Sequence, residues 1–266
     1  MKAIVCVKQV PDTQGKVAVK ADGTMDRSAM ATITNPDDLN AVEAALQLKD
    51  ETGCEVVVVT MGPPPAEGML RELMARGADR GVLVSGREFG GSDTYATSQI
   101  LAAAISTIGV ESDDIVMCGR QAIDGDTAQV GPQIAEKLHL PQVTYAADIQ
   151  KDGNTVTVKR MLEDGYMTIK VQTPCLITCI KELNNPRYMS IGGIYETYNK
   201  PLETYDYAKL KDHPLIDATT IGLKGSPTNI FKSFTPPQKG AGMMLEGADK
   251  ATCEKLAGIL AAKHII

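Results

Sequence analysis

Apolar residues recur along the chain in short runs, with longer stretches of helical spacing between them. The runs at residues 2–7, 55–60, 80–84 and 114–118 are rich in Val and Ile, and each is closed by Gly, Pro or a polar residue, so each is expected as a strand. Residues 37–51 carry Leu39, Val42, Ala45, Leu46 and Leu48 at helical spacing, with Pro36 near the first turn and Gly53 just past the end. Further helices are expected at 66–76 and 93–108. Strands alternating with helices predict parallel strands and right-handed crossovers, which is an α/β fold with a doubly wound, mostly parallel sheet.

After Pro141 the pattern changes. Runs at 143–150, 155–160 and 166–171, with a turn at Lys151-Asp152-Gly153-Asn154, and a further run at 175–180 predict antiparallel strands that extend or flank the parallel sheet. From Asn184 onward the chain is rich in Pro, Gly, Tyr and Lys and shows little periodicity until a last helix at 249–263. A stretch of about 60 residues with little core of its own is expected to embrace a partner.

Composition narrows the function. The 27 basic and 33 acidic residues give a net charge of −6, with no Lys/Arg block long enough to neutralise a phosphate backbone, so nucleic acid is not an expected partner. The longest apolar candidate, residues 100–110, is broken by Ser106 and Thr107 and falls short of the ~18 to 20 residues a bilayer helix needs, so no membrane span is expected. Residues 1–8 read as a strand and not as a secretory signal, which makes the cytoplasm the expected compartment. Six Cys (6, 54, 118, 175, 179, 253) include no Cys-x-x-Cys pair, and His139, His213 and His264 lie far apart. No metal site, no disulfide redox centre and no catalytic nucleophile is expected from them.

The chemistry points elsewhere. The fourth strand runs into Gly119-Arg120-Gln121-Ala122-Ile123-Asp124-Gly125-Asp126-Thr127-Ala128-Gln129-Val130-Gly131-Pro132 and then an amphipathic helix through Ala135 and Leu138. A strand, a Gly-bearing turn and a helix start make an anion site, because the first helical turn leaves free N–H groups and a partial positive charge facing the loop. Thr127 and Gln129 can add hydrogen bonds to a diphosphate, while Gly125 and Gly131 allow close backbone approach. On the local residues alone, Gly125 is equally a plain turn, and Asp124 or Asp126 a plain cap. Cys6, the helix start Asn35-Pro36-Asp37-Asp38 and Met61-Gly62-Pro63 stand at other loop ends, so three loops are expected to converge on one rim, as an adenine nucleotide pocket requires.

Five stretches carry a family resemblance: Val7-Lys8-Gln9-Val10-Pro11, Asn35-Pro36, Gly77-Ala78-Asp79-Arg80-Gly81, residues 119–126, and Asn185-Pro186-Arg187-Tyr188. Together, and in this order, they resemble the beta subunit of electron transfer flavoprotein over essentially the whole chain. The resemblance implies a nucleotide-holding subunit of a heterodimer whose alpha partner carries FAD. It places Cys6 against the adenosine, Asn35, Pro36, Asp37 and Asp38 beside ribose and adenine, Met61 after the second strand, and Gly119 to Pro132 around the phosphates. Arg120 is then either a cation near the pyrophosphate or a solvated surface arginine. Members that hold structural AMP carry a loop resembling D-D-D-x-N-Q-T-G-Q, with bulkier polar groups. Gly125, Thr127-Ala128, Val130 and Gly131-Pro132 depart from it and resemble the electron-bifurcating branch, in which FAD replaces AMP.

In that branch the complex oxidises NADH and delivers electrons to ferredoxin or flavodoxin and, through the alpha-subunit FAD, to an acyl-CoA dehydrogenase. The resemblance also makes Asn185 to Gly193 the loop that docks the dehydrogenase, through Arg187, Tyr188, Met189 and Ile191, with Ile191 as anchor; the alternative is that Ile191 packs under the arm. The organisation expected is a nucleotide or FAD domain at 1–184, a recognition loop at 185–197, and a C-terminal arm and helix packing on the alpha subunit at 198–266. Two other readings stand beside it: a non-bifurcating electron carrier subunit holding AMP, and a nucleotide-binding regulatory module with no redox role.

Overall fold

A computed structural model describes residues 1–12, 31–228 and 240–266. These fall into two units, the second consisting of residues 240–266.

The first unit is built on a nine-stranded sheet. Its strands are β1 (Lys2–Cys6), β4 (Glu55–Met61), β5 (Arg80–Val84), β6 (Ile115–Gly119), β7 (Gln142–Asp152), β8 (Thr155–Met161), β9 (Tyr166–Gln172), β10 (Cys175–Cys179) and β11 (Leu202–Tyr205), in the order β11-β5-β4-β1-β6-β10-β7-β8-β9. Two short strands, β2 (Gln9–Pro11) and β3 (Thr32–Thr34), pair antiparallel apart from it. Strands β11 through β7 run parallel, and only β8 and β9 are antiparallel. Val56 to Val59 of β4 are fully buried because helices cover both faces. One core holds α1 (Pro36–Thr52) and α2 (Ala66–Arg76); the other holds α3 (Thr94–Ile108) and α4 (Val130–Lys137).

The doubly wound, mostly parallel sheet matches the expectation. The direction of β10 does not. It was expected among the antiparallel additions, yet it inserts between β6 and β7 and runs parallel to both. All five of its residues are buried, as an interior parallel strand requires. A second difference lies at residues 198–228, expected in the arm. They belong to the first unit, where β11 pairs with β5 through Leu202↔Gly81 to Tyr205↔Val84 and closes that edge of the sheet. The second unit contains α8 (Lys250–Ala262), capped by Asp249, whose carboxylate accepts from the Thr252 N–H at 2.8 Å. Among the described residues no helix is long and apolar enough to cross a membrane.

Strand order reverses at β1: β4, β5 and β11 lie to one side, β6, β10 and β7 to the other. The carboxyl ends of β1 and β6 sit side by side there, with Cys6 paired to Cys118. In open α/β sheets that switch point is where ligands bind.

Candidate functional site

Three of the predicted segments meet at the switch point: the end of β1, Asn35 to Asp38, and the loop after Gly119. Asn35 precedes α1 in the position of a helix cap, but its side chain does not cap the helix. It reaches across instead, donating from Nδ2 to the Gln121 carbonyl at 2.8 Å and accepting at Oδ1 from the Ile123 N–H at 3.0 Å. Asp38, three residues on, accepts from the Lys8 N–H at 2.8 Å and from the Gly119 N–H at 2.9 Å. One carboxylate thus joins the ends of β1 and β6 to the first turn of α1. Gly119 is required here, because a Cβ would stand 2.4 Å from Asp38 Oδ1 and 2.6 Å from the Asp37 backbone.

The Asn35 and Asp38 side chains are thus bonded to the protein's own backbone, and they shape the loops. Burial pushes the Asp38 carboxyl up to about 7, opposed by the Lys8 N–H, the Asn35 side chain and the Gly119 N–H. Burial also pushes the Cys6 thiol up to about 12, with Asp38 adding to it, and raises Cys118. Both stay protonated at neutral pH and act as apolar surface.

The loop from Gly119 to Val130 is held by side-chain contacts. Lys8 Nζ contacts both oxygens of Asp124, at 2.7 and 2.9 Å, and Gln121 Nε2 donates to Asp126 at 2.8 Å. Arg120 is partly exposed at the rim: its Nε lies 3.4 Å from Asp37, and its guanidinium lies 6.0 Å from the Tyr145 ring centre. Burial raises Asp37, and Arg120 works against that rise. Asp126 and Ala128 both take left-handed backbone conformations, at φ 50° and 52°, a strain that persists where surrounding contacts impose it. No side chain caps α4, so its first-turn N–H groups face this loop.

The two glycines differ in role. At Gly125 an added Cβ meets no atom within 4 Å, so the space beside it is open. At Gly131 it would stand 2.7 Å from Cys118 Sγ and 2.9 Å from Thr178 Cγ2, so Gly131 serves the packing of α4 on β6 and β10.

Met61 opens into a cavity of about 570 Å³ between the ends of β4 and β5, walled by Gly62, Pro63, Val84, Phe89 and Gly91 and mostly apolar. Residues 84–92 were not among the sequence candidates. Their signal was present in Ser85-Gly86 and Gly90-Gly91-Ser92 between β5 and α3, which repeat the strand, Gly-rich turn and helix pattern of residues 119–132.

The predicted docking residues divide. Tyr188 and Ile191 are 91% and 89% exposed, and Met189 is partly exposed. Ile191 therefore does not pack under an arm within the first unit. It begins α5 (Ile191–Glu196), capped by Ser190. Arg187 is an anchor instead: its backbone N–H and Nε donate to Glu43 Oε2 at 3.0 and 2.9 Å, and its Nη2 donates to Glu43 Oε1 at 3.1 Å and Asp50 at 2.7 Å. Those two carboxylates hold the guanidinium above its ordinary range.

Among the described residues no group of His, Cys, Asp and Glu is arranged to hold a metal.

A family model described as the electron transfer flavoprotein domain matches residues 22–210. Over the full length of both chains in each case, the sequence is 67% identical to an acryloyl-CoA reductase electron transfer subunit gamma from Anaerotignum propionicum, 51% identical to the caffeyl-CoA reductase-Etf complex subunit CarD from Acetobacterium woodii, and 46% identical to an electron transfer flavoprotein subunit beta from Clostridium acetobutylicum. With a doubly wound sheet whose loops converge at its switch point, the chain belongs to the electron transfer flavoprotein family, as a beta-type subunit.

Proposed function

We propose that this chain holds FAD, not AMP, in a heterodimer with an electron transfer flavoprotein alpha subunit. The complex takes electrons from NADH and divides them between ferredoxin or flavodoxin and, through the alpha-subunit FAD, an acyl-CoA dehydrogenase. Its compartment is the cytoplasm. The observation that carries this reading is the open space at Gly125, beside the uncapped first turn of α4. A ligand longer than a mononucleotide can pass there.

The residues present fit such a group. A diphosphate needs donors, and the acidic side chains nearby are already engaged: Asp37 by Arg120, Asp124 by Lys8, Asp126 by Gln121. That leaves backbone N–H groups and the Thr127 and Gln129 side chains for the phosphates. The cavity beyond Met61 has the apolar walls a planar base requires.

When bound, the flavin supplies the redox chemistry. This chain contributes shape and donors: Asp38 and Asn35 fix the loops, Gly119 and Gly131 set the close approaches, and the Cys6 thiol lies protonated under the rim. The names of the relatives, acryloyl-CoA and caffeyl-CoA reductase complexes, support an acyl-CoA-handling partner. Tyr188, Met189 and Ile191 form the docking surface for it, with Arg187 behind them.

The test is the nucleotide content of the purified heterodimer, released by denaturation and separated by chromatography. About two FAD and no AMP are expected. One FAD with one AMP would reduce the chain to the structural half of an ordinary electron carrier.

A further inference from the structure

Tyr188, Ile191, Ile194, Tyr195 and Tyr198 all face solvent. Apolar side chains displayed this way select a partner only if the backbone that carries them is already ordered, because ordering it on binding subtracts from affinity.

Two helices supply that order. On one side, α1 presents Asn40, Glu43 and Asp50 along one face, three and seven residues apart. Asn40 donates to Asn184 at its carbonyl (2.8 Å) and at its side-chain oxygen (3.0 Å), and Asn184 Nδ2 returns a bond to the Asn40 carbonyl at 3.0 Å. Glu43 and Asp50 grip Arg187 as described above. On the other side, α2 meets the segment closely. Arg76 donates to the Arg187 carbonyl, and Gly193 lies so close to the Ala75 carbonyl that any Cβ there would collide with it. The Thr197 hydroxyl donates to the Arg71 carbonyl at 3.0 Å, and Lys200 Nζ donates to the Met74 and Ala78 carbonyls at 2.8 Å each.

Glu43 stands out in this set. It is a carboxylate only 5% exposed on a helix whose neighbouring core positions are Ala and Leu. A buried ion pair is poor at adding stability compared with an apolar pair of the same volume, while it does fix geometry. Both of its oxygens are committed to Arg187, the residue just before the first exposed aromatic.

We propose that Glu43 is a positioning residue for electron delivery: through Arg187 it sets the path of the backbone that presents Tyr188 and Ile191 to the electron-accepting dehydrogenase. This rests on the docking reading given under the proposed function. Asp50 takes part from the solvent side, and Glu43 touches neither nucleotide nor partner.

The experiment uses the intact heterodimer with Glu43→Gln, and separately Asp50→Asn and Ile191→Asp. The electron acceptor is the acyl-CoA dehydrogenase purified from the same cells, varied in concentration. Glu43→Gln is expected to raise the KM for that dehydrogenase about tenfold with kcat unchanged, with nucleotide content intact and faster trypsin cleavage after Arg187. Asp50→Asn, at a solvent-exposed position, is expected to move the same two quantities less. If Glu43→Gln costs the fold itself, Asp50→Asn decides alone. An unchanged KM in the folded variants, with Ile191→Asp raising it, overturns the positioning role and leaves the docking surface standing. An unchanged KM in Ile191→Asp overturns the docking reading itself. A fall in kcat with unchanged KM overturns the proposal as well, because a loop that only presents a surface acts on encounter.

Discussion

Asp38 ties a pH dependence to the architecture of the rim. Its carboxyl is pushed from an ordinary 3.8 up to about 7 by burial. Between these two values the folded chain keeps a proton that the unfolded chain has already released. The folded state then binds more protons, so stability falls as pH rises through this window and levels off above about pH 7. At about 1.4 kcal/mol per pH unit, the full loss from pH 4 to pH 7 is about 4 kcal/mol.

Asp38→Asn removes the charge but also replaces one acceptor with a donor that faces the Lys8 or Gly119 N–H, at a cost of about 1–3 kcal/mol. The two effects oppose each other and only the first depends on pH. At the middle of that range, about 2 kcal/mol, the variant should be less stable than wild type below about pH 5 and more stable at pH 8, and the two stability curves should cross. Urea melts of the purified, nucleotide-free chain at half-unit steps from pH 4.5 to 8 measure both curves. Cys6, Cys118 and Cys179 also face this carboxyl, but burial raises all three thiols further from the window, and Asp37 is present in both proteins. A constant offset between the curves at every pH would refute the reasoning, because it would mean that Asp38 is charged in the fold throughout. Nucleotide retention should fall in the variant at all pH values, since half of the bridge between β1 and β6 is lost.

Two further substitutions separate the two glycines Gly125 and Gly131. Gly125→Asp with Ala128→Asn restores bulk in a loop where an atom added at Gly125 meets no protein, so melts should stay within about 0.5 kcal/mol of wild type while the heterodimer comes off the column without its second FAD; retention of both flavins would remove the basis for the FAD reading. Gly131→Ala should instead cost stability, about 1–3 kcal/mol for overpacking against Cys118 and Thr178, and equal stability by urea melts would show that α4 can shift away from β6 without strain.

The central strands and the first three helices were legible because their periodicity is strong and their ends carry Pro, Gly and Asp at the positions helix geometry asks for. β10 was misread because it follows β9 directly and sequence neighbours usually pair. Its own residues, Cys-Leu-Ile-Thr-Cys, carry no alternation, and that lack was the sign of a strand covered on both faces. β11 left little trace: four residues with a Glu and a Thr among them become a strand only because the edge of β5 is there to pair with.

What the polar side chains at the loop ends do was not legible, and the reason is physical. Asn, Asp and Arg at a loop end can cap a helix, hold a ligand or brace a neighbouring loop with the same atoms, and local sequence cannot rank these uses. What ranks them is which backbone comes within 3 Å after folding. Asn35 meets residues 121 and 123, Asp38 meets Gly119, and Arg187 meets Glu43, each pair more than 80 positions apart in the chain. The same separation explains the glycines: Gly125 and Gly131 are one residue type in one loop, yet only Gly131 has β10 behind it. Each brace also spends polar atoms that a ligand could have used. The donors left for a diphosphate are therefore mainly backbone N–H groups, which substitution of side chains cannot remove, and binding here should respond to changes in loop shape far more than to the loss of any one side chain.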